Sequence, residues 1–387
     1  MIDSEEAGAT IAGRLRSADR VALDLEAAGY HRYSDRICLA QVTVDEADFV
    51  LDPFAFDVGE LLRPMLEDPA TEVVMHGASH DLRLLKRDWD IAVRSLFDTH
   101  IAAELLGVNG TGLGSLVESR LGFVLPKEYQ RADWAVRPLP EAMLRYAASD
   151  TRHLFDLADA LLSELDELER ETWFREECEA LVSAADGWVE PADYELAARV
   201  KGAFHLSPRE LEALRVALDW RDWIARRRDA APFRVIGDKA LLEVALRRPE
   251  SQAELQRVRG FPRALARYAG DDLIQRLGET EGIPEREIAP LDKMPRRGSV
   301  RVRPDLEPAF QQARVLRNRR ADELGLSPGK LLSNAAIADI VRRMPESMEE
   351  LAAVESVRRW QVKLLGMELI EAVTLIEGEA SPRTEAL

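Results

Sequence analysis

The first two hundred residues alternate between strand-like and helix-like spacing of their hydrophobic positions. Apolar residues in alternation or in short buried runs predict four strands, in segments 21–26, 36–44, 48–53 and 72–77. Apolar residues at helical spacing occur between and after these strands, and helical segments continue to about residue 186. Residues 1–200 are therefore predicted to form an α/β layered domain with a mixed sheet.

Two helix starts are marked by capping residues. The helical segment SHDLRLLKRDW begins with Ser79, which we expect to cap it after the buried strand EVVMHG. In RSLFDTHIAAELLG a short strand leads into a helix, and Asp98 or Thr99 is the expected cap.

From about residue 206 every segment has a helical pattern, and an internal repeat is present. RRPESQAELQRV (247–258) matches RMPESMEELAAV (343–354) at an offset of 96 residues without a gap. The same offset aligns Arg221 with Arg317 and Gly270 with Gly366. We expect two helical copies joined by a proline- and arginine-rich exposed linker at 281–305 and followed by a disordered tail at 379–387. The copies are called the first repeat (206–280) and the second repeat (306–378).

The composition limits the class of protein. The chain has 387 residues, 46% of them hydrophobic and 32% charged, which is typical of a protein with two or three globular domains. No run of apolar residues is long enough to span a membrane, the N-terminus lacks a secretory pattern, and the two cysteines lack metal-ligand spacing. We expect a cytoplasmic, monomeric protein. The net charge of −18 argues against a protein coated with basic surface.

Acidic residues occur in the α/β domain where hydrophobic patterning does not require them. Asp24 and Glu26 interrupt an apolar strand and share one face of it. Asp81 lies in the first turn of a helix, and Tyr146 and Asp150 are spaced to share one face of another helix. Each motif alone is more typical of ordinary surface than of a site: a half-exposed strand, an acid at a helix N-terminus, or a polar helix face.

Together these residues offer four carboxylates from three elements of one domain. Oxygen ligands suit hard divalent cations such as Mg²⁺ or Mn²⁺. Four carboxylates would hold two cations, one activating a water and the other stabilising the leaving oxygen in a phosphoryl displacement. A tyrosine one helical turn from a ligand would orient the attacking water.

These motifs carry a family resemblance. DLE (24–26), HDLRLL (80–85) and YAASD (146–150) resemble, in order and spacing, the motifs of DEDD 3′–5′ exonucleases of the subgroup with tyrosine in the last motif. RICLAQV, FDTHIAAELLG and ADWAVRPLPEAMLRYAASDTRHL resemble the ribonuclease D family, and the two repeats resemble HRDC domains (helicase and RNase D C-terminal). The first motif reads Asp-Leu-Glu and is followed by Ala27, whereas many bacterial members read Asp-Thr-Glu-Phe at these four positions. The sequence Asp-Leu-Glu is closer to exosome-associated relatives.

The resemblance implies a ribonuclease H-like mixed sheet with flanking helices, followed by two all-α bundles. It implies metal-dependent hydrolysis of RNA from the 3′ end, with tRNA precursors or other structured RNA as substrates. Asp24, Glu26 and Asp150 would bind the metal that activates water, Asp24 would also contact a second metal held by Asp81, and Tyr146 would orient or deprotonate the nucleophile.

Other residues are candidates for substrate contacts. Leu25 and His80 lie beside the expected ligands, and Lys127 and Trp134 precede the last motif. Two arginine clusters in the repeats would contact phosphates, although a solvated helix face is an equally good interpretation of them: Arg226, Arg227, Arg228, Arg317, Arg319 and Arg320. Trp220 and Trp223 occupy apolar helix positions and are expected in the core.

Several alternatives stay open at this point. His76 and His80 are four residues apart, but a strand-to-helix junction separates them, so we expect hydrogen bonding and no zinc. The glycines of GVNGTGLG (107–114) are expected in a turn. A DNA 3′–5′ exonuclease, or a non-catalytic nucleic-acid-binding scaffold acting through its HRDC copies, are the competing functions. Four repelling carboxylates argue against the scaffold.

Overall fold

The computed structural model describes residues 1–188, 196–291 and 302–374. Within these residues five strands form one mixed sheet: β1 (Arg20–Ala27), β2 (Ile37–Val44), β3 (Ala47–Leu51), β4 (Glu72–Met75) and β5 (Leu96–Asp98). Their order in space is β3-β2-β1-β4-β5. β2 pairs antiparallel with β1 and β3, whereas β4 pairs parallel with β1 and β5. The predicted mixed sheet is confirmed, and β1 is its central strand.

Eight helices surround this sheet: α1 (Glu5–Arg16), α2 (Val58–Leu66), α3 (Ser79–Trp89), α4 (Thr99–Leu105), α5 (Leu113–Leu121), α6 (Glu141–Arg152), α7 (Leu154–Glu167) and α8 (Glu171–Asp186). α6 packs against β1, β2 and β3, while α7 contacts β4 and α8 contacts β5. Asp98 caps α4 as predicted, because its carboxylate accepts from the His100 N–H. The predicted cap of α3 is wrong: Ser79 is its first helical residue and Ala78 precedes it without a side-chain cap.

The C-terminal half is helical, as predicted. α9 (Leu196–Arg199) and a short 3₁₀ turn (Ala203–His205) precede the first repeat, and further 3₁₀ turns lie at Thr280–Gly282, Glu285–Glu287 and Pro304–Leu306. The helices of the first repeat are α10 (Pro208–Arg228), α11 (Pro232–Val235), α12 (Asp238–Arg247), α13 (Gln252–Leu255) and α14 (Arg263–Glu279). Those of the second repeat are α15 (Glu307–Leu324), α16 (Pro328–Leu331), α17 (Asn334–Arg343), α18 (Met348–Ala352) and α19 (Arg359–Thr374). Adding 96 to the bounds of α11 or α12 gives those of α16 or α17, so the gapless sequence repeat is also a structural one.

A buried arginine has the same role in both repeats. Arg221 is 8% exposed and donates to the carbonyl oxygen of Ile236, at 3.3 Å, and to Asp238. Arg317 is 4% exposed and donates to the equivalent carbonyl of Leu332 and to Asn334. The predicted RNA contact of Arg317 is therefore wrong, because its guanidinium is used inside the bundle.

The second repeat shares a hydrophobic core with the α/β domain. Trp173 of α8 stacks on Trp360 of α19 with ring centroids 4.6 Å apart. Arg170 donates to the carbonyl oxygens of Leu105 and Leu324, each at 2.7 Å, and so joins the two units. Two units that share apolar residues in this way are expected to unfold together.

The first repeat has a separate core and touches the α/β domain through the loop at 28–36. This core includes Ala197 and Val200, so the boundary predicted at 200 lies several residues too late. Part of the expected linker also packs on this repeat: Ile288 is buried, and the Ala289 carbonyl accepts from Arg215. Linker residues 292–301 and the tail lie outside the described residues. No helix in the described part of the chain is long and apolar enough to cross a membrane.

The contact between α4 and the second repeat gives a test of the shared core. Gly107 has a φ of +72°, and a Cβ there would collide with the backbone carbonyl of Gly325. Gly122 has a φ of +76° with open space around it. Both alanine variants carry the left-handed backbone cost of about 1–2 kcal/mol. We predict that Gly107→Ala loses clearly more unfolding free energy in urea than Gly122→Ala, with the α/β domain and the second repeat unfolding in one transition. Equal losses in the two variants would contradict the shared core.

Candidate active site

The central strand places two carboxylates at one end of the sheet. Asp24 and Glu26 alternate with Leu23 and Leu25, so the acids lie on one face of β1 and the leucines on the other. Pairing between β1 and β4 ends at Ala22 and Val74, before the acids are reached. Leu25 is 7% exposed and belongs to the main core, so the predicted substrate contact by its side chain is wrong.

The turn from β4 into α3 brings a third carboxylate to this place. Gly77 adopts a φ of +68°, a left-handed conformation that glycine tolerates. The buried Asp98 carboxylate accepts hydrogen bonds of 2.8 Å from the N–H groups of Gly77 and Ala78. These bonds fix the start of α3, whose third residue is Asp81.

The fourth carboxylate comes from α6, together with the tyrosine. Tyr146 and Asp150 are one helical turn apart. The helix is held on the sheet by a buried 2.8 Å hydrogen bond between the hydroxyl groups of Thr43 and Thr151, and by an ion pair of 2.6 Å between Arg152 and Asp48. The face of α6 that carries Tyr146 and Asp150 is thereby set against β1.

The structure brings the predicted acids together. Asp24, Glu26 and Asp150 each offer a carboxylate oxygen, and these oxygens lie within 4.8 Å of one another. Among the described residues this is the one group of three or more side chains that could hold a metal ion. Asp81 lies outside this tight group but close to it. The charge of Asp81 raises the pKa of Glu26, and the charge of Asp24 raises the pKa of Asp81.

Burial raises the pKa of every carboxyl in the cluster, and neighbouring negative charges add to the rise for Glu26, Asp81 and Asp150. Burial raises the pKa of Asp24 to about 6, although a hydrogen bond with the Leu25 backbone opposes the rise. Burial, and then the charges of Asp24, Asp150 and Asp81, raise the pKa of Glu26 to about 10. For Asp150 burial and the charge of Asp24 raise it to about 8, and for Asp81 burial and Asp24 raise it well above its ordinary value.

This electrostatic situation fits a divalent cation site. Four acids that cannot all ionise side by side become stable as carboxylates once positive charge lies between them. The donors are all oxygen atoms, which suits Mg²⁺ or Mn²⁺ and does not suit softer metals.

Tyr146 is 6% exposed, and its ring packs between two other aromatic residues. The Tyr129 ring meets it edge-on at 5.7 Å and the Trp134 ring lies 6.1 Å away. Burial and the charges of Asp150, Glu26 and Asp24 raise the pKa of the Tyr146 hydroxyl, so this group stays protonated. Trp134 is only 2% exposed and supports Tyr146 from within the core, so its predicted substrate contact is wrong.

An arginine anchors the segment that carries Trp134 to the sheet. Arg137 makes a bidentate ion pair with the buried Asp52, with N···O distances of 2.6 and 2.8 Å. The same guanidinium donates to the carbonyl oxygens of Cys38 and Trp134. Lys127 is exposed in the preceding part of this segment and is free of the core, so it remains a predicted substrate contact.

One polar residue beside the cluster was missed from the sequence. Gln41 lies directly across from Asp24 in the register of β2, is fully buried, and its amide has no hydrogen-bond partner among the described residues. Buried amides normally have partners, so an unpaired one next to the acids marks a polar site. A glutamine within the apolar strand ICLAQVTV was the available signal.

The remaining predicted contacts fall into different environments. His80 is exposed, with its Nε2 atom 3.9 Å from Asp35, and His76 makes a 2.9 Å hydrogen bond with Thr99. Arg226 pairs with Asp222, while Arg319 and Arg320 pair with Glu323 and Glu368 on the second repeat. Trp220 is buried as predicted, but Trp223 is 37% exposed and not a core residue.

Comparisons with known proteins place the chain in a family. Residues 1–166 match the 3′-5′ exonuclease family, and residues 210–277 and 307–373 each match the HRDC domain. Ribonuclease D of Xanthomonas oryzae is 32% identical over 360 residues, which cover 91% of this chain and 93% of that protein. This chain belongs to the ribonuclease D family. The predicted 3′–5′ exoribonuclease, a hydrolase with two HRDC domains, is thereby confirmed.

Two further comparisons extend the ribonuclease D likeness. The crystal structure of Escherichia coli RNase D, an exoribonuclease involved in structured RNA processing, has a TM-score of 0.68 and 26% identity, and covers 96% of this chain and 98% of that one. The RRP6-like 2 protein of Arabidopsis thaliana is 33% identical over 259 residues, 64% of this chain. The match spans only 30% of that longer relative.

The raised pKa of Glu26 gives a test of the cluster without any catalysis. Between its ordinary value of 4.5 and about 10, the folded protein holds a proton that the unfolded chain has lost. The unfolding free energy therefore falls as the pH rises through this window. In EDTA at neutral pH we predict that Glu26→Gln is more stable than the wild type by ~1 kcal/mol or more, with the difference shrinking below pH 4.5.

Chemical denaturation at several pH values measures this difference. The control is Glu118→Gln, which neutralises an exposed helical glutamate. Addition of Mn²⁺ should stabilise the wild type and reverse the order. A Glu26→Gln protein that is less stable than the wild type at neutral pH in EDTA would show that the carboxylates do not repel one another in the metal-free state.

Proposed function

We propose that the chain removes nucleotides from RNA 3′ ends by hydrolysis with two divalent cations held by Asp24, Glu26, Asp81 and Asp150. The observation that carries this proposal is the group of carboxylate oxygens within 4.8 Å on the central strand and α6. When bound, Mg²⁺ or Mn²⁺ would lower the pKa of a water and stabilise the leaving oxygen.

The residues of the chain would divide this work. Asp24 is the one carboxylate of the cluster whose charge raises the pKa of each of the other three, so it lies near all of them. It is therefore suited to contact both cations. The Tyr146 hydroxyl, held protonated beside Asp150, is suited to donate to or orient the attacking water and not to act as its base.

The substrate proposed is the 3′ end of structured RNA, such as a tRNA precursor. This rests on the likeness to E. coli RNase D, which is an exoribonuclease involved in structured RNA processing. A DNA substrate and a non-catalytic scaffold are not favoured, since the acidic cluster is complete and the family acts on RNA. The cytoplasmic location, the monomeric state and the lack of zinc stay predictions.

The direct test is hydrolysis of 5′-labelled RNA and DNA by the purified full-length protein. We predict stepwise shortening of RNA with Mg²⁺ or Mn²⁺ and none with EDTA. Asp24→Asn should abolish shortening, because an amide replaces the carboxylate shared by both cations. Asp19→Asn, an exposed aspartate just before β1, is the matched control and should keep full activity.

The same assay examines the tyrosine. Tyr146→Phe should lower kcat about 10²–10⁴-fold, as expected when a positioned proton donor or acceptor is lost. Tyr129→Phe removes the hydroxyl of the neighbouring ring and should have little effect. Normal turnover by Asp24→Asn, or cleavage in EDTA, would overturn the proposed mechanism.

A further inference from the structure

One edge of the first repeat combines exposed aromatic rings with arginines. Arg227 lies over the ring of Trp223 at 4.8 Å, and Arg228 lies over Tyr268 at 4.6 Å. Across the junction with the α/β domain, Arg234 lies over Tyr30 at 5.5 Å. Phe233 of the repeat packs against Tyr30, with ring centroids 5.6 Å apart. These residues form the arginine–aromatic edge: Tyr30, Trp223, Arg227, Arg228, Phe233, Arg234 and Tyr268.

The rings of this edge face solvent. The exposed fraction is 62% for Tyr268, 52% for Phe233, 45% for Tyr30 and 37% for Trp223. Single exposed aromatics are common, but four on one edge are not required by the packing of the repeat. Tyr268 is the most exposed of the four and has Arg228 over its ring, whereas Trp223 is approached by Arg276, at 5.5 Å, as well as by Arg227. Tyr268 therefore offers the most ring surface to a planar group.

The arginines of the edge lack acidic partners. Arg227, Arg228 and Arg234 form no ion pair with any described residue, although the chain has 70 acidic and 52 basic residues. Their neighbours behave differently: Arg226 pairs with Asp222 at 2.8 Å and Arg276 with Asp272 at 2.9 Å. An acidic protein that keeps three guanidinium groups unpaired at one edge offers that edge to an anion.

The second repeat lacks this combination. At the offset of 96 residues, Arg319 replaces Trp223, Glu323 replaces Arg227 and Leu364 replaces Tyr268. The counterpart of Arg234 is Lys330, which pairs with Glu104 of the α/β domain. The same helical fold therefore docks on the α/β domain in the second copy and exposes rings and charges in the first.

The edge is tied to the active site through a short loop. Tyr30 follows Glu26 by four residues, which span at most roughly 14 Å of extended chain. The loop is fixed to the first repeat, because the His31 carbonyl accepts from the Ala231 N–H at 3.1 Å. Arg32 also bridges Asp133 and Asp229, at 2.7 and 3.2 Å. Single-stranded RNA that lies on this edge would thus be directed toward the carboxylates.

We propose that the arginine–aromatic edge binds the unpaired nucleotides that precede the 3′ end in the active site. Bases stack on the exposed rings, and phosphates contact the unpaired guanidinium groups. This combination of stacking faces with basic groups is how proteins hold single-stranded RNA without reading its sequence. The proposal rests on the proposed function, since it names the surface that delivers the substrate of that site.

The test uses the full-length protein and two single substitutions on the edge, Tyr268→Ala and Arg228→Ala. Affinity for fluorescent oligoadenylate is measured by anisotropy in EDTA, and hydrolysis of oligoadenylate and of a dinucleotide is measured with Mn²⁺. We expect each variant to bind oligoadenylate about tenfold more weakly, as for loss of one stacking or charge contact. KM for oligoadenylate should rise with kcat unchanged, and cleavage of the dinucleotide, too short to reach the edge, should be normal.

The matched controls lie elsewhere on the repeats. Phe204→Ala removes an exposed ring that precedes the start of α10, whereas the arginines lie at its end. Arg247→Ala removes a surface arginine of the first repeat that is paired with Glu243. Both should bind oligoadenylate like the wild type.

The outcomes separate this proposal from the proposed function. If Tyr268→Ala and Arg228→Ala bind oligoadenylate with wild-type affinity, the arginine–aromatic edge does not bind RNA. An equal loss of affinity for blunt duplex RNA, whose bases cannot stack on the rings, would also overturn the proposal. A parallel fall in dinucleotide cleavage would also overturn it. Absence of all hydrolysis by the wild type would instead refute the proposed function, while the anisotropy still decides the edge.

Discussion

Repulsion among four partly buried carboxylates is the constraint on which the rest of the structure depends. Asp24, Glu26, Asp81 and Asp150 come from β1, α3 and α6. Burial raises the pKa of each, and the charge of Asp24 raises those of the other three further. Without positive charge the arrangement costs stability, so the surrounding contacts must hold it in place. The Asp98 carboxylate fixes the turn before α3, and the Thr43–Thr151 hydrogen bond fixes α6. These contacts position the carboxylates before any cation or phosphate is bound, which is how preorganised sites stabilise charge.

The two HRDC repeats share one fold but are joined to the rest of the chain differently. The second continues the hydrophobic core of the exonuclease domain through the Trp173–Trp360 stack. The first keeps its own core and contacts the loop that follows β1 through polar and aromatic groups. A buried arginine at the same position in both, Arg221 or Arg317, maintains the common bundle. The surface residues could therefore diverge between the copies. Those of the second repeat dock on the exonuclease domain, and those of the first repeat form the proposed RNA-binding edge.

Periodicity and spacing were sufficient for much of this account. Alternation in β1 predicted that Asp24 and Glu26 share a face, and the gapless offset predicted that α10–α14 and α15–α19 are copies. Prediction failed where a position depends on contacts distant in sequence. Arg317 belongs to a charged run, and only the carbonyl of Leu332 shows that its guanidinium points inward. Trp134 and Leu25 are buried by α6 and by strand alternation, and the exposure of Trp223 depends on where α14 packs. Gln41 could be placed beside the acidic cluster only from the strand register, which sets it across from Asp24.

Calorimetric titration of the metal-free protein with Mn²⁺ at neutral pH tests the central claim most directly. Carboxyl groups with raised pKa values must lose protons when they bind cations, so the measured heat should depend on the ionisation enthalpy of the buffer. The account predicts two bound ions per chain with release of protons, and loss of this binding in Asp24→Asn but not in Asp19→Asn. Saturable binding that is unchanged in Asp24→Asn, or no binding by the wild type, would contradict it.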